Sequence, residues 1–437
     1  MQNQEIFDFI EQNDVKFVRL TFCDPLGVPK NISVLASELK SILKNGYPLN
    51  VSMFPVLSDL SQSDILLYPD TQSFNLLPWR PHNNSVLRFY CEMQKIDHAP
   101  FDGDGRTFLQ NAIHSLESYG LKCEMGTKCE FYLFKTDDQE EPTTTPFDNG
   151  GLLDIAPLDK GENIRRDICL CLEEMGLKPK SSYHEQGPGQ NQIEFKLDDP
   201  LSAADHFMTF KSVIKMIAHQ YGLFASFMPN PLPSQIGSSL QLQLTLTKNG
   251  KSVFGNHNDP NFKTAQYFLA GILEKIPEIT LFLNPINNSY ERLGHFNAPK
   301  FISWSHQNVA ALVRFPSSYK EKQRLELRSP DPTLNPYFAF GLIIYAGLWG
   351  IENQHSLEDS IDFNLNEMNP LESTQLKSLP HTLKEAIDLT RNSDFVQSHL
   401  DQSFLNHFLD FKEKENLSFE QANDKFAYYL ENHFKSL

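Results

Sequence analysis

The 437-residue sequence lacks several patterns that would each assign a function directly. None of its six cysteines forms a CxxC pair, and no histidine cluster stands at zinc-finger spacing, so a zinc module is not expected. Neither GxGxxG nor GxxxxGK[ST] occurs, which argues against Rossmann and P-loop nucleotide binding. No run of Lys and Arg forms a basic face and the net charge is −17, so a nucleic-acid partner is not expected.

Membrane and export signals are missing as well. No apolar stretch reaches the ~18 residues of a membrane span. The opening MQNQEIFDF has neither a basic n-region nor an apolar h-region. The cysteines are expected to be free thiols, because a chain of this length needs no disulfides. The sequence therefore predicts a cytoplasmic protein with no membrane partner.

Two domains are predicted from length and element order. Hydrophobic residues make up 40% of the chain and aromatic residues 12%, which supports a packed core. Strand, turn, strand, helix and further strands follow one another around the Asp24–Gly27 turn, which indicates a small α+β domain. The glycine-punctuated FDGDGR stretch, Phe101–Arg106, then leads into alternating helices and isolated strands. We expect one domain over residues 1–103 and a larger one over residues 104–437.

Polar faces run along four of the predicted strands. In Ser239–Leu246, leucines alternate with Gln241, Gln243 and Thr245, so the polar side chains share one face. Similar faces carry Lys128, Glu130 and Tyr132 in one strand, Gln190, Gln192 and Glu194 in the next, and Arg324, Glu326 and Arg328 in the last. From alternation alone, the simpler interpretation is that these faces meet water.

Nearly the whole chain carries an ordered series of longer motifs, among them VKFVRLTFCDPLGVPKN, SDILLYPD, CEFYLF, SYHEQGPGQN, FMPNP, NPINNSYERL, VRFP and LELRSPDPTLNPY. In content and order they resemble glutamine synthetases. The resemblance implies an α+β fold with a small N-terminal β-grasp-like domain. It further implies a large C-terminal catalytic-type domain with a funnel of antiparallel strands and helices. Family members form rings of six, often stacked as twelve, with sites between subunits, so a homo-oligomeric ring is expected, alone or with a paralogue.

The reaction that the resemblance implies transfers the ATP γ-phosphoryl group to the side chain of glutamate, after which ammonia displaces phosphate. It needs Mg²⁺ or Mn²⁺ to offset the repulsion between phosphates and carboxylate. The family supplies five Glu and one His as ligands. Matched by position, Glu130, Glu185 and Glu326 remain. Lys128 and Gln192 occupy two Glu positions, and Gln241 occupies the His position.

Further family positions also differ in this chain. The family has Asp at Asn50, where it helps deprotonate ammonium, and Glu at Asn297 on the flap. It has Arg at Val309 on the phosphate, His at Gln243 near the substrate carboxylate, and Lys at Asn230. The retained arginines are Arg292, Arg314 and Arg328, which match substrate or phosphate contacts. Salt bridges to neighbouring acids are the structural alternative for these three.

The resemblance implies two cations. The one near the substrate would keep Glu130 and Glu185 with Gln192, whereas the one that holds the ATP phosphates, on the phosphate side, would keep only Glu326 beside Lys128 and Gln241.

Three functional interpretations follow from these losses, which are heaviest on the phosphate side. The first is a non-catalytic family member retained for assembly, sensing or ligand binding. The second is an ATP-dependent carboxylate–amine ligase for a different amine, since family relatives join glutamate to other amines. The third is an ordinary glutamine synthetase with one bound metal; Mg or Mn with ATP is expected only where activity remains. Lys128 and the three arginines could also form a metal-free pocket for a carboxylate or phosphate.

Overall fold

The computed structural model describes residues 3–58, 64–79, 85–255, 261–315, 323–362 and 376–436. The helices are α1 (Asn3–Gln12), α2 (Leu39–Asn45), α3 (Gly105–Ser118), α4 (Glu162–Glu174), α5 (Pro200–Gln220), α6 (Phe262–Leu283), α7 (Asn287–Arg292), α8 (Pro336–Glu352), α9 (Leu383–Arg391), α10 (Asp394–His399), α11 (Gln402–Gln421) and α12 (Lys425–Tyr429). The strands are β1 (Phe17–Cys23), β2 (Pro29–Leu35), β3 (Tyr47–Asn50), β4 (Asp64–Pro69), β5 (Asn75–Leu76), β6 (Val86–Lys95), β7 (Leu121–Thr136), β8 (Pro142–Pro146), β9 (Pro179–His184), β10 (Gln190–Phe195), β11 (Leu223–Ser226), β12 (Leu240–Lys248), β13 (Lys251–Ser252), β14 (Trp304–Ser305), β15 (Val313–Arg314) and β16 (Leu325–Leu327).

The N-terminal sheet has the strand order β2-β1-β6-β4-β3, with β5 added beside β6. Strands β1 and β6 pair in parallel, whereas the other pairs are antiparallel. Val18 and Leu20 of β1 and Leu87 and Phe89 of β6 are fully buried. A central parallel pair flanked by antiparallel hairpins is the small α+β unit that the sequence predicted.

The large sheet has the order β14-β15-β16-β12-β7-β10-β9, with β11, β13 and β8 attached along its length. All of its pairs are antiparallel except β14 with β15. The four strands with predicted polar faces, β16, β12, β7 and β10, are consecutive neighbours in this order. Neighbouring strands place same-phase side chains on one face, so the polar residues of all four meet.

The expectation that these faces meet water is wrong. Gln241 and Gln243 on β12 are buried, as are Gln192 on β10 and Glu130 on β7. Buried polar side chains need partners inside the protein or in a bound ligand. The apolar run over residues 309–314 predicts a longer strand than the structure has, since only Val313–Arg314 pairs.

Helix α8 forms the centre of the large domain. It is apolar on all sides and packs against α3, α5 and α6, as expected for a helix without a solvent face. Its N-terminus is capped by Asn335, whose Oδ1 accepts from the N–H groups of Tyr337 and Phe338. Gly350 allows close contact with α6, because a Cβ atom there would overlap the carbonyl of Tyr267.

The same cap ties the two domains together. Asn335 Nδ2 donates to the carbonyl of Asp24, at 3.1 Å, in the turn between β1 and β2. Gly27 in that turn has φ +83°, and a Cβ atom there would lie 2.9 Å from the carbonyl oxygen of Leu334. The turn therefore needs glycine both for its backbone conformation and for its contact with the large domain.

Candidate functional site

Glu130 and Glu185 lie close together inside the protein. Glu130 is on β7, Glu185 follows β9, and both are buried. Glu130 Oε2 accepts a hydrogen bond of 2.7 Å from the N–H of Ser239. Burial, and next the charge of Glu130, raise the pKa of Glu185 to about 7. The two carboxylates repel each other in a confined space, and a bound cation would relieve this repulsion.

Gln192 completes this group of oxygen atoms. It lies directly opposite Glu130 in the β7–β10 ladder and is fully buried. Neither atom of its side-chain amide makes a well-formed hydrogen bond to any residue that the structure describes. An amide oxygen is an accepted ligand of hard cations. Glu130, Glu185 and Gln192 therefore fit one Mg²⁺ or Mn²⁺ ion, which would supply positive charge to attract a substrate carboxylate.

Lys128 places a permanent charge beside this group. Its Nζ lies 5.7 Å from the ring centroid of Tyr183 on β9. Burial disfavours the charge of Lys128, but interactions with Tyr183, Glu326 and Glu130 together outweigh this effect and raise its pKa. Lys128 is therefore protonated at neutral pH. Its ammonium group cannot bind a metal ion.

Glu326 on β16 is already neutralised by a protein cation. Arg328 Nη1 donates to Glu326 Oε1 at 2.7 Å and to Gln241 Oε1 at 3.3 Å. Gln241 Nε2 in turn lies 3.4 Å from Glu130 Oε1. These contacts form one continuous chain from Glu326 across β12 to Glu130.

Glu194 on β10 is another buried carboxylate, and four side chains hold it. It accepts from Lys180 Nζ at 2.7 Å, Gln243 Nε2 at 2.9 Å, Ser181 Oγ at 3.1 Å and Arg324 at 3.3 Å. Burial alone would raise the pKa of Glu194, but the hydrogen bonds from Lys180 and Gln243 lower it. Sequence alternation placed Glu194 and Arg324 on polar faces without giving them roles. Lys180 was missed because β9 was not predicted.

The three residues predicted at the phosphate-side cation, Glu326, Lys128 and Gln241, do not fit a divalent ion. Glu326 is paired with Arg328, and the other two side chains are an ammonium group and an amide. A divalent ion here would face an ammonium and a guanidinium group at close range, which repel it. No chemical step through a second ion is supported by these side chains.

The other two retained arginines differ from each other. Arg292, at the end of α7, is buried, and its Nη2 donates to the carbonyls of Ser329 and Pro330. Burial lowers the pKa of Arg292. Arg314 on β15 lies opposite Glu326 in the ladder and is half-buried, and its Nε atom has no hydrogen-bond partner among the residues that the structure describes. Within that part of the chain, Arg314 has more donors left for a ligand than Arg292 or Arg328.

Three replaced positions lie outside the strands. Asn230 follows β11, and its Nδ2 donates to the carbonyl of Glu291 in α7 at 3.2 Å. Asn297 is half-buried in the turn after α7. Val309 lies in a turn and is 41% exposed. An exposed valine offers no hydrogen bond to a phosphate group, unlike the family arginine.

Asn50 lies in the N-terminal sheet, at the end of β3, and not on the large sheet. Its Nδ2 donates to Asp64 Oδ1 at 2.8 Å, and its Oδ1 accepts from the N–H of Ser52 at 3.0 Å. The amide is therefore used as a local cap, and it cannot accept a proton as a carboxylate does.

A buried histidine behind Glu185 was also missed from the sequence. His184 Nε2 lies 2.8 Å from Asp148 Oδ1, and His184 Nδ1 lies 2.7 Å from the carbonyl oxygen of Glu185. Burial opposes its protonation, but the contact with Asp148 outweighs it and raises the pKa of His184. Asp148, Asp159 and His184 are close enough to hold a metal ion. Their atoms are instead bonded within the protein, Asp159 to Arg165.

Comparison with known proteins gives consistent matches along the chain. The family description "Glutamine synthetase, catalytic domain" matches residues 102–430, and "Glutamine synthetase, beta-Grasp domain" matches residues 14–96. The glutamine synthetase of Methanosarcina mazei is 39% identical over 417 residues, which cover 94% of this chain and 93% of that protein. That of Clostridium saccharobutylicum is 38% identical over 402 residues, 91% of each.

Solved structures agree with the sequence matches. The structure titled "GmaS/ADP complex-Conformation 1" superposes with a TM-score of 0.85 at 25% identity, covering 97% of this chain and 98% of that one. "Apo GmaS without ligand" gives 0.84 at 26% identity, covering 96% and 97%.

Fold and site together define a two-domain α+β protein of the ligase fold, with carboxylates and arginines gathered on an antiparallel sheet. The chain belongs to the glutamine synthetase family. The predicted family and fold class are confirmed. Within the part of the chain that the structure describes, no helix is long and apolar enough to cross a membrane.

Proposed function

We propose that this protein is a glutamine synthetase-like protein that no longer joins glutamate to ammonia and that binds a small carboxylate at the candidate site. The observation that carries this proposal is the charge of Lys128, whose raised pKa keeps an ammonium group near Glu130 and Glu326. In the family this place is taken by a ligand of the phosphate-side cation. Here a fixed protein cation replaces the exchangeable one.

Loss of phosphoryl transfer follows from the charges on this side. The reaction depends on divalent ions that bridge and neutralise the phosphates of ATP. One ammonium group carries less charge than a divalent ion and cannot bridge phosphate oxygens in the same geometry. Glu326 is bound to Arg328 at 2.7 Å and is not available as a ligand. The exposed Val309 removes a further phosphate contact.

A calorimetric titration with ATP in excess Mg²⁺, repeated with EDTA, tests the proposal. It is combined with mass-spectrometric detection of glutamine from glutamate, ammonium and Mg-ATP. The Methanosarcina mazei enzyme, assayed in parallel, serves as the positive control. No EDTA-sensitive ATP binding and no glutamine are expected. Steady glutamine formation by the purified protein would refute the loss of activity.

Carboxylate binding is tested in the same instrument with EDTA present. Titration with glutamate and with citrate is expected to give heat in the wild-type protein. The Lys128→Gln variant should bind these anions at least tenfold more weakly, since a charge-assisted hydrogen bond is removed. If neither glutamate nor citrate gives heat, the proposal that the site binds a small carboxylate is rejected.

An ATP-dependent carboxylate–amine ligase with another amine is the second candidate. It is favoured by the retention of Glu130 and Glu185 together and by the fold similarity to a protein solved as a GmaS/ADP complex. Replacement of Asn50 and Asn297 would suit a new amine. This candidate requires tight, EDTA-sensitive ATP binding, whereas the first requires its absence. A screen of amines with Mg-ATP and glutamate then identifies the product.

We also propose an oligomeric state and a domain boundary for this chain. Family members are typically homo-oligomeric, and we propose a ring of six or twelve subunits, alone or with an active paralogue. Sedimentation analysis of the purified chain, and of the chain co-expressed with a paralogue, distinguishes these assemblies. We place the domain boundary after residue 103, where Asp104 caps helix α3 by accepting from the N–H of Arg106 at 3.1 Å.

A further inference from the structure

A polar cavity of about 250 Å³ lies beside α7 in the large domain. Its walls come from the end of α7, from the turn that follows it and from the loop before α9. Tyr290 belongs to α7, His295 and Lys300 to the turn, and Pro380 and His381 to the loop. None of the side chains assigned to the candidate site lines this cavity in the described part of the chain.

Backbone hydrogen bonds hold the walls of this cavity in place. The N–H of Leu379 donates to the carbonyl of Lys300 at 2.9 Å, which joins the loop to the turn. The N–H of His295 donates to the carbonyl of Arg292 at 3.2 Å, which joins the turn to α7. The cavity is therefore formed by the fold itself, as ligand sites usually are.

The cavity is basic, although the chain as a whole carries a net charge of −17. Lys300 supplies an ammonium group, and His295 and His381 supply imidazole rings. Among the described residues that line the cavity, none is acidic. All three basic side chains are exposed, so a ligand in solution can reach them. A concave surface with charges of one sign concentrates ligands of the opposite sign.

The three basic groups are not neutralised by the part of the chain that the structure describes. Within it, no carboxylate lies within 4.0 Å of Lys300 Nζ, and the ring nitrogens of His295 and His381 make no hydrogen bond. Lys377, in the adjoining segment, is instead paired with Glu274 at 3.3 Å. The donors of the cavity are thus left for an external anion.

The kind of donor favours a phosphate group over a carboxylate. No arginine is among the described lining residues, so the planar fork that matches a carboxylate is absent. Lys300 offers a point charge, and the two imidazole rings offer one N–H group each from other walls, which suits a tetrahedral oxyanion. Helix α9 begins at Leu383, directly after the loop, and its N-terminus adds partial positive charge.

We propose that this cavity binds a phosphate group, free or as a monoester, through Lys300, His295 and His381. The bound group joins the turn after α7, which contains Asn297, to the loop before α9. It therefore restrains this turn by contacts outside the candidate site. The inference is independent of whether the candidate site retains activity.

The test combines calorimetry with diethyl pyrocarbonate labelling of histidines, read for each residue by mass spectrometry. With phosphate at about twice its dissociation constant, labelling of His295 and His381 should slow about threefold, because only a third of the sites stay free. Labelling of the exposed His114 should not change. Phosphate binding and this protection should persist in the Arg314→Gln/Arg328→Gln variant, which removes donors of the candidate site.

Substitutions in the cavity separate charge from packing. Lys300→Met should weaken phosphate binding by about tenfold or more, since a charge-assisted hydrogen bond is lost. Lys263→Met removes another exposed lysine and is the matched control, which should bind normally. Glu385 Oε2 accepts from the N–H of His381 at 2.8 Å at the edge of the cavity. Glu385→Gln keeps an acceptor but removes a negative charge, so it should strengthen phosphate binding.

Comparison probes identify the source of the phosphate group. Tighter binding of glycerol 3-phosphate than of inorganic phosphate assigns the cavity to a phosphorylated small molecule, and equal or weaker binding assigns it to free phosphate. Acetate that binds as tightly as phosphate would overturn the proposal. No phosphate binding, no protection of His295 and His381, or unchanged binding in Lys300→Met would overturn it as well.

Discussion

Arg328 Nη1 lies 2.7 Å from Glu326 Oε1, so this buried carboxylate is paired within the protein. The same nitrogen lies 3.3 Å from Gln241 Oε1, and Gln241 Nε2 lies 3.4 Å from Glu130 Oε1. These side chains form one hydrogen-bonded chain across the strands. Substitutions that introduce metal ligands here should have non-additive effects on metal binding, because each side chain of this hydrogen-bonded chain contacts the next.

Restoring the three lost ligands should restore metal binding on the phosphate side. We expect Lys128→Glu/Gln192→Glu/Gln241→His to bind two Mn²⁺ ions per chain, and the wild type at most one, because the triple variant removes an ammonium group and adds carboxylate and imidazole ligands. Calorimetry with Mn²⁺ gives the stoichiometry. The Gln192→Glu single variant is the control and should still bind only one. A triple variant with wild-type stoichiometry would contradict this account.

Removing the Lys128 charge alone should strengthen the remaining cation site. Lys128→Gln is expected to raise Mn²⁺ affinity at Glu130 and Glu185 by roughly tenfold, because a like charge a few ångströms away is removed. Lys180→Gln is the matched control, since Lys180 is neutralised by Glu194 at 2.7 Å. Equal effects of the two substitutions on the Mn²⁺ dissociation constant would show that the position of Lys128 is irrelevant.

His184 should act on the cation site by positioning Glu185. His184→Gln is expected to weaken Mn²⁺ binding by about 10- to 100-fold, the usual effect of removing a partner that orients a ligand. Asp148→Asn, which weakens the 2.8 Å contact with His184, should act in the same direction. Mn²⁺ titration is combined with circular dichroism. Unchanged affinity in a folded variant would assign the histidine a purely structural role.

The buried ion pair between Arg106 and Asp205 should be costly to break. Arg106→Met is expected to destabilise the protein by about 3–5 kcal/mol, because Asp205 and Asp70 are left without their cation. Arg166→Met removes an exposed pair with Asp167 and should change stability by roughly 1 kcal/mol or less. Urea unfolding of both variants measures the difference. Similar unfolding midpoints would contradict the larger cost of breaking the buried pair.

Lys211 should make stability depend on pH. Burial lowers its pKa, so the unfolded chain keeps this proton to higher pH than the folded chain. The cost of burying the charge is therefore fully present below the folded-state pKa and declines as pH rises toward the unfolded value. The free energy of unfolding of Lys211→Met should exceed that of the wild type by more at pH 7 than at pH 9.5. Urea unfolding at both pH values measures this.

The control for that measurement is Lys263→Met, because Lys263 is exposed. It should show the same difference from wild type at both pH values. A pH-independent effect of Lys211→Met would mean that its hydrogen bond to the Pro332 carbonyl, 2.9 Å long, decides the outcome instead of its charge.

Strand prediction was accurate where alternation was strict and failed where it was absent. The leucines that alternate with Gln241 and Gln243 identified β12 correctly, because period-two patterning is a direct consequence of strand geometry. Strand β9 was not predicted, since Lys180, Ser181 and Ser182 carry no apolar alternation. Its pairing with β10 holds it in place, and its Tyr183 then contacts Lys128.

The roles of individual site residues were only partly visible in the sequence. Ordered motifs predicted roles for Glu130, Glu185 and Glu326, and these roles stay predictions. The salt bridge that the sequence offered as the alternative for Arg328 is present, with Glu326. The bonding of Arg292 to the Ser329 and Pro330 carbonyls was not readable, because it depends on distances that no spacing rule fixes.

By itself, the sequence determined the family, the α+β fold class, and the chemical identity of each side chain at the site. Those properties reside in residue type and order, which local geometry translates directly into strands and helices. Only the tertiary structure decided which charges are neutralised. Pairing of β16, β12, β7 and β10 buries their polar faces, and burial forces Glu326 and Glu194 onto protein cations. Electrostatic balance depends on distance and burial, and both arise only when strands far apart in the chain are brought together.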